Sequence, residues 1–328
     1  GTGRTEAISV NGSNASDVVK LAITGDTKLE AHGSSYALGI YAAGNSQLDI
    51  NGNYTVKAAD GGWGITNAKN GALNEDGAFF NTSAIYAAGT AGSGNNADAA
   101  AVVNINGDVD LAVDGSGVIA NMDGAIVNIK GGGTIKINDK PADFEGAAVH
   151  YALAAMSGTI NMNVTNDTSK MVVLYGNVGV LDRADNDAES CKHSEVNLQL
   201  NTADSMWQGV AVEAISEMNR ADGYTGAINL GLSNGATWYN QVYGNAYDEF
   251  EGSRVASLAG GADKASAGNI YQNDDSNDLT IGYYSGYTNI FYAASKGEDG
   301  KVGFAAGDTI IETAAGGSHI NMITSGEF

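Results

Sequence analysis

The chain predicts an all-β fold, a right-handed parallel β-helix (a solenoid) with protruding loops. Three observations carry the prediction. A short phrase recurs along the first half, in which two apolar residues stand at alternate positions before a turn glycine. Period-two alternation over about five residues dominates, and helical periodicity is scarce. The composition holds 46 Gly but one Pro, with abundant Asn, Asp, Ser and Thr and no collagen period, which supplies many turns.

The copies of the phrase run in order. Ile8-Ser9-Val10-Asn11-Gly12 comes first, then Leu21-Ala22-Ile23-Thr24-Gly25 and Leu48-Asp49-Ile50-Asn51-Gly52. Val103-Asn104-Ile105-Asn106-Gly107 and Val127-Asn128-Ile129-Lys130-Gly131 follow. An apolar residue returns four positions after the glycine at Leu29, Val56, Leu111 and Ile135, which starts a further strand. The alternation continues in Ile160-Asn161-Met162-Asn163-Val164, Val196-Asn197-Leu198-Gln199-Leu200 and Ile228-Asn229-Leu230.

A second phrase precedes several copies of the first. Gly39-Ile40-Tyr41-Ala42-Ala43-Gly44 returns as Ala84-Ile85-Tyr86-Ala87-Ala88-Gly89, and related runs begin at Val118 and Tyr151. The two phrases together form one coil of two or three short strands. Its small residues suit a narrow interior, and Asn and Thr at the turns suit ladders between coils. Marker glycines lie 27 residues apart from Gly25 to Gly52, 24 from Gly107 to Gly131, and 55 from Gly52 to Gly107, close to two units. At about 22 residues per coil the chain would hold about 15 coils, a rod of about 70 Å.

Two regions are expected. Residues 1–235 form the β-helix repeat region, and residues 236–328 a less regular continuation or C-terminal end, richer in Tyr. Segments 71–77, 91–99, 182–194, 245–253 and 274–278 read as protruding loops, and Val210 to Met218 is the best helix candidate.

Charge excludes some functions. With 38 acidic against 16 basic residues the net charge is −22, which opposes binding to nucleic-acid phosphates and to anionic membrane surfaces. Apolar residues make up 43% and there are 15 Tyr, enough for a core rather than a disordered chain. Cys191 is the one cysteine, so no intrachain disulfide can form, as suits a bacterial exported protein. No apolar run is long enough for a transmembrane helix. The start at Gly1-Thr2, without Met or a signal peptide, reads as a fragment.

The chemistry-bearing residues do not assemble into a reaction. Ala203-Asp204-Ser205-Met206 lacks the glycines of a protease nucleophile turn, and Gly25-Asp26-Thr27 reads as a turn of the repeat. Cys191-Lys192-His193 supplies two ligand types where a metal site needs more, so a free thiol is expected, and no metal or cofactor. Asp182, Asp185 and Asp187, and the run 273–278, match no calcium-loop pattern and read as solvated loops. Asp274, Asp275, Glu249 and Glu251 offer carboxylates for glycoside chemistry, without a spacing that fixes their separation.

The binding candidates are aromatic. Trp207, Trp238, Tyr239, Tyr243, Tyr247 and Phe250 fall in irregular segments where the interior pattern does not demand them. Flat rings there can anchor a protein or glycan partner, and can equally cap the rod and seal its core.

The C-terminal strings carry a resemblance. Thr237-Trp238, the run from Ala262 to Gln272, Leu279-Thr280-Ile281, the run from Tyr284 to Tyr292, and Gly307 to Ile311 with Gly317 to Met322 are similar to passenger domains of Gram-negative autotransporter (type V secretion) adhesins. The likeness is to large surface proteins of Veillonella-like bacteria, and it covers about a quarter of the chain. It implies a cell-surface adhesin that mediates cell–cell, biofilm or host-surface attachment by non-catalytic binding. It also implies export through the outer membrane and anchoring by a C-terminal barrel absent from this chain. The partners implied are a surface protein or glycan of another bacterium or host cell, and other copies of the rod, with no nucleic acid and no membrane insertion. The alternatives are a β-helix polysaccharide lyase or glycoside hydrolase, and a passive surface spacer.

Overall fold

The computed structural model describes residues 4–12, 17–33, 36–57, 82–89, 100–138, 151–181, 192–244, 252–272, 277–296, 302–304 and 306–325. They form a parallel β-helix of ten coils among the described residues. The first coil holds β1 (Arg4–Gly12), β2 (Val19–Thr24) and β3 (Thr27–Leu29), and the second β4 (Tyr36–Gly44), β5 (Ser46–Asn51) and β6 (Tyr54–Lys57). The third holds β7 (Ser83–Ala88), β8 (Val102–Ile105) and β9 (Val109–Val113). In the fourth and fifth, long strands β10 (Ser116–Ile129) and β12 (Tyr151–Met162) serve two faces, followed by β11 (Gly133–Ile137) and β13 (Val172–Tyr175). The sixth holds β14 (Asn177–Leu181), β15 (His193–Leu200) and β16 (Met206–Gly209). The seventh holds β17 (Ala211–Ala214), helix α1 (Glu217–Ala221), β18 (Thr225–Leu232) and β19 (Thr237–Asn240). Then come β20 (Ser253–Ala259) with β21 (Gly268–Gln272), β22 (Leu279–Ser285) with β23 (Tyr287–Lys296), and, after β24 (Val302–Phe304), β25 (Thr309–Ala314) with β26 (His319–Ser325).

Each coil lays its strands on the coil before it, in parallel and in register. The first face runs β1, β4, β7, β10, β12, β14, β17, the second β2 to β25, and the third β3 to β26. The short β24, antiparallel to β23, departs from this order. Nine spacings between ten coils give a described rod of about 43 Å.

The expected length of about 70 Å is therefore corrected. Leu48 pairs directly with Val103, so the 55-residue interval is one coil and not two. The short spacings came from the tightest coils, and insertions lengthen the others. The ladder of the third face continues past residue 236 to β26.

The helix expected over Val210 to Met218 is also displaced. Ala211–Ala214 is strand β17, and α1 starts only at Glu217, where the Ser216 hydroxyl caps the Asn219 amide.

Alternation decides what is inside. On the second face Leu48, Ile50, Val103, Ile105, Val127, Ile129, Ile160 and Met162 are buried in stacked columns. Each fully buried aliphatic side chain contributes about 1.5–3 kcal/mol by leaving water. The marker glycines stand at the next corner, where coils touch backbone to backbone. A Cβ on Gly52, Gly107 or Gly131 would collide with the carbonyl of Gly25, Gly52 or Gly107 one coil back. The same corner carries a ladder: the Asn53 amide donates to Asp26 Oδ1, Asp108 to Asn53 Oδ1, and Gly132 to Asp108 Oδ1, each at 2.9 Å.

The first face differs. Its Ile-Tyr-Ala-Ala phrases stack in register, Tyr41 on Tyr86 and Ala42 on Ala87, and it is covered on both sides. A second apolar cluster joins Leu38, Tyr86, Ile119, Ala154, Met156, Leu181 and Val212. A strand buried on both faces has no reason to alternate, and this one reads as a continuous apolar run. Inside, the Tyr54 hydroxyl donates to the Ala84 carbonyl at 2.9 Å, and burial pushes its phenol well above the usual tyrosine range.

Candidate functional site

The aromatic candidates separate into three groups. Trp207 and Trp238 occupy paired positions on β16 and β19, and both are wholly buried. Their rings stack at 4.5 Å with planes 3° apart, and each Nε1 donates to a glycine carbonyl, Gly176 at 3.0 Å and Gly209 at 2.9 Å. The expectation that they fall in irregular segments outside the interior pattern is corrected: both lie on strands and seal the core. The alternation Met206-Trp207-Gln208 and Thr237-Trp238-Tyr239 turns the indoles inward, and the missing Cβ of Gly209 leaves room for the Trp207 Nε1.

Tyr243 is half-buried and reaches back over earlier coils. Its hydroxyl donates to the Ile137 carbonyl at 2.9 Å, and its ring lies 6.5 Å from that of Tyr175. Tyr247 and Phe250 lie outside the described residues, as do Cys191, Asp182, Asp185, Asp187, Glu249, Glu251, Asp274 and Asp275.

Tyr239 alone opens an exterior feature. It stands half-buried on the outward side of β19, paired with Tyr271 of β21, which pairs with Phe291 of β23. The three rings stack at 4.9 and 4.5 Å, and Ile323 of β26 continues the row. Two positions earlier on the same strands stands a row of amides. Asn289 Nδ2 donates to Asn269 Oδ1 at 2.9 Å, and Asn321 Nδ2 to Asn289 Oδ1 at 3.1 Å. Two positions earlier again, Tyr287 stacks on His319 at 4.7 Å. Side chains at i and i+2 share a sheet face, so Asn289 lies between Tyr287 and Phe291, while Asn269 has a ring beside it at Tyr271 and Asn321 at His319. Asparagine is shorter than tyrosine, phenylalanine or histidine, and the arrangement is a trough with an amide floor and ring walls.

A cavity of 220 Å³ lies over the end of this trough, lined by Lys264, Ala267, Tyr287, Asn289, His319 and Asn321 among others. Lys264 belongs to a short 3-10 turn, Lys264–Ser266, fixed by Asp263. The Asp263 carboxylate accepts from the Ser266 and Ala265 amides at 2.9 and 3.0 Å, and those bonds, Ser266's first, hold it below the usual aspartate range.

A longer amide row runs along the second face. Asn104 donates to Asp49, Asn128 to Asn104, Asn161 to Asn128, Asn197 to Asn161 and Asn229 to Asn197, at 2.7–2.9 Å, and the Ser257 hydroxyl donates to Asn229. These are the middle residues of the Val-Asn-Ile phrases. The ladder lies mid-strand as well as at the turns.

The remaining chemistry is structural. Ser205 is buried, and its hydroxyl accepts from the Val172 amide at 3.0 Å. The carboxylates of Glu213 and Glu312 both bind Arg254, at 3.0 and 2.9 Å, and Glu213 also binds Arg220. The hydrogen bond from Arg254 holds the Glu312 carboxyl below its usual range. No three His, Cys, Asp or Glu side chains among the described residues are grouped to hold a metal. No described helix is long and apolar enough to cross a membrane.

Tyr271, Phe291 and the amides between the rings were not among the sequence candidates. Their signal is a triplet of Asn, an apolar residue and an outward ring or aliphatic: Asn269-Ile270-Tyr271 and Asn289-Ile290-Phe291, whose isoleucines are buried, and Asn321-Met322-Ile323 on the last coil, where Met322 is exposed. No family model matches this chain, and neither does any curated protein or solved structure.

Proposed function

We propose that this chain is an attachment rod: the passenger region of a type V secreted adhesin, displayed at a bacterial surface, that holds a neighbouring cell or host surface by non-catalytic binding. The observation that carries the reading is the ring-walled trough on the last three coils, an exterior feature that the fold itself does not require. Strand pairing and the buried columns build the rod without it. Stacked rings are rigid, so a partner that seats there loses little side-chain freedom of the rod, which favours binding. The resemblance of the C-terminal strings to autotransporter passengers supports the same reading, because those strings include the trough residues Asn269, Tyr271, Asn289 and Phe291. Arg254 ties up the Glu213 and Glu312 carboxylates, which leaves that pair unsuited to the acid–base work of a glycoside hydrolase.

Beads coated with the protein test the reading against a panel of bacterial and host cells. Beads that adhere or aggregate, and lose this with the paired changes Tyr271→Ala and Phe291→Ala, are the expected result. Beads inert across the panel overturn attachment. Release of shorter products from polysaccharide substrates would replace it with the enzymatic alternative.

A further inference from the structure

We propose that the trough binds a neutral, linear glycan laid along the rod axis, with its sugar residues seated over Asn269, Asn289 and Asn321. This rests on the attachment reading and names the chemistry that would be held.

The floor sets the chemistry. An asparagine amide offers two N–H donors and two carbonyl lone pairs. The ladder uses one N–H of Asn289 and of Asn321 and one lone pair of Asn289. Each of these amides thus keeps an N–H and at least one lone pair for an external group. A sugar hydroxyl both donates and accepts, and neighbouring hydroxyls on one ring can take both from the same amide. The offer repeats at every coil, about 4.8 Å apart, and the three amides span about 10 Å. A polymer with a short repeat meets it in several places. A single small ligand meets it once.

The walls set the direction. Tyr271 and Phe291 stack on each other along the rod, as do Tyr287 and His319. Their faces are therefore turned to one another along the axis, and their edges flank the trough. A chain lying across the rod would have to climb the rings, whereas one lying along it rests between them. The cavity of 220 Å³ is smaller than the usual pocket for a drug-sized ligand. It suits one sugar residue, with neighbours continuing along the amide row.

Charge sets the class of glycan. Lys264 is the one charged side chain among the non-histidine lining residues, and Asp263 sits beside it. The chain as a whole carries −22, so an acidic polysaccharide would be repelled by the rod on approach. A peptide is a poorer fit for a different reason. Strands β21 and β23 are paired on both sides, and β26 pairs only with β23 among the described residues, so a peptide could add as a strand only at the rod end, across the axis, and not along the trough.

Calorimetry on the intact chain tests this, with neutral linear hexasaccharides as probes: β-1,4-linked glucose, β-1,4-linked N-acetylglucosamine, β-1,3-linked glucose and α-1,4-linked glucose. Oligogalacturonate and fibronectin serve as the acidic and protein rivals. At least one neutral probe should bind, more tightly as it lengthens from disaccharide to tetrasaccharide, and with affinity changed by less than about twofold between low and high salt. Asn321→Ala and Phe291→Ala should each weaken it by about tenfold or more, with circular dichroism unchanged. Asn161→Ala, in the second-face amide row, should leave it as it was. The inference is overturned if no neutral probe binds, if the trough variants bind as the parent does, or if only oligogalacturonate or fibronectin binds. Beads that adhere to cells while every saccharide fails would remove the glycan and leave attachment standing. Saccharide binding with inert beads would remove attachment and leave the glycan site.

Discussion

Two amide rows run along this rod, and they are put to different use. The row from Asp49 to Asn229 crosses six coils of the second face, with half-exposed Val102, Ile126, Thr159 and Ala227 on one flank. Gln47 and Glu195 complete that flank, and Lys130 and Gln199 stand on the other, so polar and aliphatic side chains border the row and no ring stack does. The row from Asn269 to Asn321 crosses three coils of the third face, with the Tyr239–Tyr271–Phe291 stack along one side and the Tyr287–His319 pair along the other. Both rows hold coils in register by the same side-chain bond. Only the second is walled. An amide ladder is thus a device of the solenoid, and the neighbours two residues away on each strand decide whether it also becomes a place to bind.

Substitutions can break that comparison, the most damaging first. Trp207→Ala removes half of a buried stack and leaves the Gly176 carbonyl without its indole donor. It should cost about 3–5 kcal/mol in a denaturation midpoint series. Tyr271→Ala, in the outer stack, should cost only about 1 kcal/mol, and near-equal losses would mean that the outer rings are part of the core. Gly107→Ala forces the corner carbonyl of Gly52 aside and should cost about 1–3 kcal/mol by the same measurement. A neutral result would show the corner to be loose.

The amide rows themselves give smaller and more telling effects. Asn161→Ala removes two rungs, the bond to Asn128 and that from Asn197, and should cost about 1–2 kcal/mol while saccharide binding stays intact. Asn321→Ala removes one terminal rung and should cost about 0.5 kcal/mol, yet weaken binding. A reversal of that pattern would erase the distinction between the rows.

The smallest effect is electrostatic. The Asp263 carboxyl is held low in the folded chain, so the order it gives the Lys264 turn is fully present above the ordinary aspartate range. That order is lost as pH falls through the lower folded value. An NMR titration should show the Ser266 amide shifting with Asp263 below that range, and Asp263→Asn should abolish the transition.

The second face was legible because Val-Asn-Ile states its own geometry: apolar inward, amide outward. The Ile-Tyr-Ala-Ala run was legible as a strand but not as one covered on both sides. Its outer cover brings together residues far apart in the chain, Leu38 with Tyr86, and Met156 with Leu181. Coil length was misjudged because turn glycines mark corners, and insertions between corners leave no trace in the pattern. Trp207 and Trp238 read as lying in irregular segments because turn residues surround them in sequence. Their partners are each other, 31 residues apart, and only register brings them together. The trough was hidden for the same reason. Each Asn-x-ring triplet is ordinary alone and becomes a wall only when three coils align.

The threading of the coils has a mechanical consequence. From His193 to its partner Thr225 the chain travels 32 residues and gains a single strand spacing along the rod. Pulled straight, that stretch would reach on the order of 110 Å. The rod is therefore a spool, and each coil is gripped mainly by its neighbours, with a few longer ties such as Tyr243 to Ile137. Under a steady pull from one end it should pay out thread one turn at a time. A pull on the first coil would reach the trough on the last three of ten coils only after the seven turns before it had unwound.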